Sequence, residues 1–416
     1  MKAKYSIIIL VSIILLSSLF SSCGKDRWEE YYPFTRHSLW IDSVMRENYL
    51  WNDELQDEDE LTSSYFLNSA AFLSKVRYSD DKVSYIDTAC SQPIISYGYQ
   101  LATTQVNDTA LMAVITYIEP FSVAATAGLQ RGEWIMAVDD EIITKKTQNW
   151  LTDGEAHKLM IGHSTTIVID DENSDEEVEQ SIVIFDRIVN IPVALGFFPN
   201  DLPIVSVLDN HVGYMLYNDI AEANKQEVVS ATQSLSAGDI TNLVLDLRYA
   251  TTGDVKGLQY LASILAPSSA LGNQFATVEY AESRHMDTSL PFLTASELEN
   301  GVNLNLNKLY VLTSSATAGP AEMLINCLKE VMDVVVIGQQ TQGIEVACES
   351  FIDPANDQIL HLAACHVSDV NKKVDYIDTG IEPDYIVNPL SPIEGILPLG
   401  SPQENLLARA LEIINN

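Results

Sequence analysis

The chain has 416 residues, enough for two or three domains with buried cores, and 47% of them are hydrophobic. Fifty-eight acidic against 23 basic residues give a net charge of −35. So few cations cannot neutralise phosphates at scale, which excludes nucleic acid as a partner; the acidity reads as a solvated surface, or as one that draws a basic partner.

Residues 1–22 read as a lipoprotein signal peptide. MKAK carries two lysines, SIIILVSIILLSSLF is apolar but short for a membrane span, and small residues precede Cys23. Acylation of Cys23 would make it the mature N-terminus; a retained anchor and plain secretion are the alternatives. Losing Lys2 and Lys4 takes the bases from 23 to 21, so the mature balance is −37. GKDRWEE, just after Cys23, resembles the export signal of Bacteroidetes surface lipoproteins. The expected location is the bacterial outer membrane, on the cell surface or the periplasmic face, with the lipid anchor as the membrane contact.

Residues 23–90 form a helical region and linker. Ile41, Val44, Met45 and Tyr49 have helical spacing, and the acidic QDEDELTSS follows. Residues 91–192 turn to short strands, with SYGYQLATTQ and ALMAVITYI as a pair. EPFSVAATAGLQRGEWIMAVDDEII then predicts a proline turn, a small-residue helix stopped at Gly128, a turn at Gly132 and a strand. This succession resembles a PDZ domain, matched at Pro120, Ser122, Ala124, Ala127, Gly128, Leu129, Gly132 and Ile135, with Glu133 where the family has Asp. The resemblance makes Ser96-Tyr97-Gly98-Tyr99 the carboxylate-binding loop, whose backbone N–H groups would receive a peptide C-terminus. The acidic run Asp170 to Gln180 reads as a solvated hairpin tip.

Residues 193–416 alternate strands and helices, which predicts α/β units on a largely parallel sheet. VGYMLYNDI, TNLVLDLRY, KLYVLTS and DVVVIGQQ are the strands, and ENLLARALEII is a closing amphipathic helix. VACESFIDPANDQILHLAAC predicts a hairpin turning between Pro354 and Asp357. It would set Cys348 and Cys365 nearly opposite one another, either bridged or as two buried thiols. No metal-ligand spacing appears, and His361 and His366 would face opposite sides of one strand; no cofactor is expected.

VGYMLYNDI, NLVLDLRY, LYVLTSSATAGPAE, VIGQQTQG and TGIEPD, in this order behind the PDZ-like segment, resemble the C-terminal processing peptidases, or tail-specific proteases. That family hydrolyses peptide bonds with a serine activated by a lysine. Its nucleophile turn, T-A-S-A-S-E, is here Thr317-Ala318-Gly319-Pro320-Ala321-Glu322, so Gly319 stands at the nucleophile and Ala321 at the second serine. Its T-x-G-K is Thr341-Gln342-Gly343-Ile344, so Ile344 stands at the base. Its Gly-rich R-Y-N-G-G-G is Arg248-Tyr249-Ala250-Thr251-Thr252-Gly253. Asp246, Arg248, Thr317, Glu322, Gly343, Gly380, Pro383 and Asp384 keep the framework.

The resemblance thus implies a pseudoprotease that binds a polypeptide segment or protein C-terminus through Ser96–Tyr99 and through a vacated cleft at Gly319 and Ile344. The alternatives are an active serine peptidase with displaced residues, Ser314 or Ser315 with Lys308 or Lys329, and an accessory scaffold for an envelope transporter or lipoprotein complex.

Overall fold

A computed structural model describes residues 28–88, 93–170, 177–197, 203–286 and 289–416. Cys23, Cys90 and the tip of the acidic hairpin lie outside the described residues. The order of elements is α1 Trp28–Asn48, α2 Ser69–Val76, β1 Tyr85–Thr88, β2 Ile94–Ser96, β3 Tyr99–Gln105, β4 Leu111–Ile118, α3 Val123–Thr126, β5 Trp134–Val138, β6 Glu141–Ile142, β7 His157–Asp170 and β8 Glu177–Ile191. There follow β9 Leu195–Phe197, β10 Ile204–Leu208, β11 Val212–Leu216, β12 Asp219–Ile220, α4 Lys225–Ala237, β13 Asn242–Asp246, β14 Thr252–Gly253, α5 Val255–Leu265, β15 Gln274–Tyr280 and β16 Ser289–Pro291. The last are β17 Lys308–Thr313, α6 Pro320–Leu328, β18 Asp333–Gly338, β19 Val346–Asp353, β20 Gln358–Ser368, β21 Tyr385–Ile386 and α7 Asn405–Asn415.

The central sheet runs β10-β11-β13-β17-β18-β21. Only β10 is antiparallel to its neighbour; the four other pairings are parallel. Alternation along its strands sorts side chains between two cores. Met215, Leu243, Leu245, Leu309 and Val311 pack under α4, α5 and α6, while Tyr214, Leu216, Val244, Tyr310 and Leu312 pack under α7. The inner strands β11, β13 and β17 are buried on both faces, which is why the sequence shows near-continuous apolar runs there.

A second sheet joins β1, β20, β15 and β16, with β19 on the other side of β20. Ile41 and Met45 of α1, with Tyr49 just after it, pack against Leu360 and Leu362 of β20, so the N-terminal helices sit on this sheet. The hairpin of β19 and β20 turns where expected, with Asp353 opposite Gln358. Its cysteines are free thiols, as is Cys327. A bulge between Ala347 and Cys348 shifts the register, so that Cys365 faces Ala347 and Cys348 faces Ala363.

Residues 94–197 make a separate β unit, an antiparallel sheet in the order β3-β4-β5-β7-β8 with its own apolar core. Ser122 accepts a hydrogen bond from the Ala125 N–H at 3.2 Å and starts α3. The ribbon β2–β9 closes this unit with residues on both sides of position 192. Among the described residues no helix is long and apolar enough to cross a membrane.

Candidate active-site cleft

Residues 317–322 leave the end of β17 and enter α6 through a turn whose conformation is set at Gly319, with φ +56° and ψ −116°. A residue with a Cβ resists that backbone region. The space around it is open, because an added Cβ would meet only the Thr251 carbonyl oxygen, at 3.8 Å. Pro320 opens α6, where its fixed φ suits the first helical position.

One carboxylate organises the surroundings. Glu322 is fully buried, and its Oε2 accepts from the Gly319 N–H at 2.9 Å and from the Ile344 N–H at 2.8 Å. Its Oε1 accepts from the Gly343 N–H at 2.6 Å and from the Thr341 hydroxyl. Four donors on one buried acid lock the Gly319 turn to the loop before β19. Thr317 secures the other side by donating to the Leu247 carbonyl at 2.9 Å, and the Ala318 N–H donates to Ala250 at 3.0 Å. Gly343 has φ +90°, and a Cβ there would lie 2.8 Å from three backbone atoms of the 376–380 loop. Asp384 accepts from the Val336 N–H at 2.8 Å. The framework residues therefore hold two loops in register.

Between these loops and the second sheet lies an open cleft of about 570 Å³. Gly319, Pro320 and Thr251–Asp254 form one wall; Tyr85, Ser350 and His361 belong to the other, from adjacent strands β1, β19 and β20. Ile344, Val346, Cys348 and Ser350 all line it. His361 Nδ1 lies 2.9 Å from the Ser350 hydroxyl, and its ring stacks on Tyr85 at 4.4 Å. Burial lowers the imidazole pKa below its ordinary value, which keeps the ring neutral at pH 7. Burial also raises the Asp219 pKa, while the Thr252 hydroxyl and Asn224 amide act to lower it. The Cys348 thiol is pushed up to about 12 by burial and stays protonated. Lys82 at the rim hydrogen-bonds Asp378 at 2.7 Å, which raises its pKa and holds it as a cation.

Serine-type hydrolysis needs a nucleophile, a base in reach and donors for the oxyanion. The positions that the resemblance gives to the first two hold Gly319 and Ile344, side by side on the same carboxylate. A third feature of the turn is not visible in its side chains. The residue after the nucleophile is the natural source of a backbone oxyanion donor, and Pro320 has no N–H. The Thr251 carbonyl oxygen faces the turn at Gly319.

Neither Lys308 nor Lys329 is brought to the turn. Ser314 is buried, donating its hydroxyl to the Arg248 carbonyl at 2.5 Å. Lys308 opens β17 and Ser314 follows its end, roughly 20 Å apart at strand rise. Lys329 follows the C-terminal end of α6, whereas Gly319 precedes its start, on the order of 15 Å away.

The second sequence-predicted group is apart from the first: no described residue of 93–197 lines the cleft. Tyr97 is buried, with its hydroxyl on Asp153 and Glu155, and Tyr99 donates to the Leu151 carbonyl at 2.6 Å. The Gly98 N–H is already taken by the Ser96 hydroxyl at 3.0 Å. The wall formed by Tyr85, Ser350 and His361 was not anticipated from the sequence, although the spacing of Val346, Cys348 and Ser350 on a predicted strand points to one face. Among the described residues no group of acids, histidines and cysteines could hold a metal ion.

Residues 211–387 match Peptidase family S41, and residues 37–85 match the Peptidase S41 N-terminal domain. A putative S41 protease from Bacteroides fragilis is 35% identical, covering 90% of this chain and 97% of its own, with a TM-score of 0.79. The photosystem II D1 C-terminal processing protease is 15% identical over 86% of this chain and 93% of its own, at a TM-score of 0.45, which adds no weight. With both segments matched and the identity sustained over nine-tenths of its length, the chain belongs to peptidase family S41, serine-type peptidases of the C-terminal processing kind.

Proposed function

We propose that this chain is a non-catalytic member of its family, an envelope lipoprotein acylated at Cys23 that binds an extended polypeptide segment in the cleft beside Gly319. One observation carries the reading: Glu322 holds the Gly319 turn and the Thr341–Ile344 loop together around an open cleft, where the resemblance would put a serine and a lysine and the chain has Gly319 and Ile344, with no N–H on Pro320. Drift would erode scaffold and chemistry together. Here the buried hydrogen bonds persist where they shape the cleft.

The β unit is PDZ-like in this reading. Its support is that the stretch Pro120 to Ile135 folds as turn, helix, turn and strand. The engaged state of Gly98, Tyr97 and Tyr99 favours the cleft over that loop as the place where peptide binds.

The test is fluorescence anisotropy with labelled unfolded or C-terminally apolar peptides, alongside product analysis and a serine-reactive probe. Binding without cleavage or labelling is expected, and Ile344→Trp, which fills the cleft, should weaken it at least about tenfold, roughly 1.4 kcal/mol. Peptide turnover that disappears in Ser315→Ala would establish the active-peptidase alternative instead. Envelope proteins co-purifying equally well with the Ile344→Trp chain would favour the scaffold.

A further inference from the structure

A second pocket, of about 460 Å³, adjoins the cleft across Ile344. Lys82, Val83, Ile344 and Val346 line both, so an extended chain beside Gly319 can continue into it. Trp51 and Tyr78 supply its aromatic walls, and Val83 and Ile377 its aliphatic ones. The two rings lie 5.5 Å apart, centroid to centroid, tilted by 32°. Asp80, Glu345 and Asp378 bring carboxylates to the same pocket, against one cation, Lys82.

That cation is spent on Asp378, at 2.7 Å. Both partners are exposed, and the pair cancels itself, leaving the carboxylates of Asp80 and Glu345. No lysine or arginine among the described residues pairs with either of them. His366 Nδ1 stands 3.5 Å from Glu345, and the Ser79 hydroxyl donates to Asp80 at 3.2 Å. Aromatic faces attract a cation held within about 6 Å of the ring centre. Lysine and arginine side chains also lay an aliphatic stem on apolar surface while the charged head stays among polar groups. Trp51 and Ile377 suit the stem, and Asp80 and Glu345 the head. An anionic side chain brought here would meet like charges, which selects against it.

We infer that this pocket receives an arginine or lysine side chain of the polypeptide held in the cleft. Because this assignment rests on the cleft being a polypeptide site, the probes test both. They are labelled alanine- and valine-rich peptides, acetylated and amidated, with a single central arginine, lysine, norleucine or glutamate. Anisotropy is read at low salt, where exposed charges are least screened. The arginine and lysine peptides should bind at least about tenfold tighter than the norleucine peptide, and the glutamate peptide weakest. In Asp80→Asn/Glu345→Gln the preference should fall to about twofold or less, with the norleucine affinity unchanged as the sign of an intact fold. Asp80→Asn alone, at an exposed residue, should remove part of it. Asp108→Asn/Glu141→Gln takes the same charge from exposed positions of the β unit and should keep the full preference. Equal affinity for the arginine, lysine and norleucine peptides would overturn the pocket and leave the cleft as a polypeptide site. A preference that survives Asp80→Asn/Glu345→Gln would do the same. Failure of all four peptides to bind would overturn both.

Discussion

Arg131 of the β unit and Glu404, the N-cap of α7, meet at 3.2 Å with both side chains buried. Glu404 also accepts from both terminal nitrogens of Arg248, at 2.6 and 2.9 Å, and caps α7 through the N–H groups of Leu406 and Leu407. Arg248 in turn holds Asp246 through Nε at 2.9 Å. One acid thus ties together the β unit, the loop that carries Thr251 along the cleft, and the last helix. Removing one partner leaves buried charge uncompensated, which typically costs about 3–5 kcal/mol. Glu404→Gln should lower the urea midpoint accordingly. Arg131→Met leaves the Arg248 pair in place and should cost less, about 1–3 kcal/mol.

The same acid predicts an acid limb. Burial resists its ionisation, yet the hydrogen bonds and charge of Arg248, with Arg131, bring the Glu404 pKa below its ordinary value. A carboxyl whose folded pKa is depressed stabilises fully above its unfolded value of about 4.3. That contribution fades as pH falls below that value and is lost once pH passes the folded pKa. Urea unfolding between pH 7 and pH 3 should show a steeper loss for the native chain than for Glu404→Gln. Parallel curves would assign the acid sensitivity to other carboxylates.

Two glycines with positive φ separate strain from collision. Gly319→Ala has room for its Cβ and should cost only the backbone strain, about 1–2 kcal/mol. Gly343→Ala adds contacts of 2.8 Å with three backbone atoms of the neighbouring loop and should cost at least 3 kcal/mol on the order of other severe core strains. Thermal unfolding of the two variants measures the difference. Equal losses would mean that the loop near Tyr376 yields.

How much of this was legible follows from the kind of signal each feature leaves. The central strands were readable because burial on both faces leaves continuous apolar runs, as in Leu309 to Leu312. That Gly319 and Ile344 stand together beside the cleft was readable because each has a fixed place in a motif that the resemblance supplies. The Glu322 hub was readable only as a framework residue, since its four donors include three backbone N–H groups that carry no residue identity. The Arg131–Glu404 pair joins residues 273 positions apart, and no local pattern encodes that. The thiols of Cys348 and Cys365 depended on a single bulge, which periodicity does not reveal. Alkylation of the denatured, unreduced chain should modify Cys327, Cys348 and Cys365 alike, and a mass two hydrogens lighter on the hairpin peptides would place a bridge there.

Restoring the side chains should not restore the chemistry. Gly319→Ser/Ile344→Lys places a hydroxyl and an amine on two loops that Glu322 already holds in register, and the open space at Gly319 admits the serine Cβ. The oxyanion remains without a donor from residue 320, and the Thr251 carbonyl oxygen at 3.8 Å from the serine Cβ repels developing negative charge. One missing donor of this kind costs on the order of 100- to 1,000-fold in turnover. The double variant should therefore bind peptide and release no product above background. Adding Pro320→Ala supplies the N–H and should raise turnover at least about 100-fold over the double variant. Single-turnover assays on a quenched-fluorescence peptide compare the three proteins. Full activity in the double variant would show that Pro320 is only a helix start and that the oxyanion is served from elsewhere.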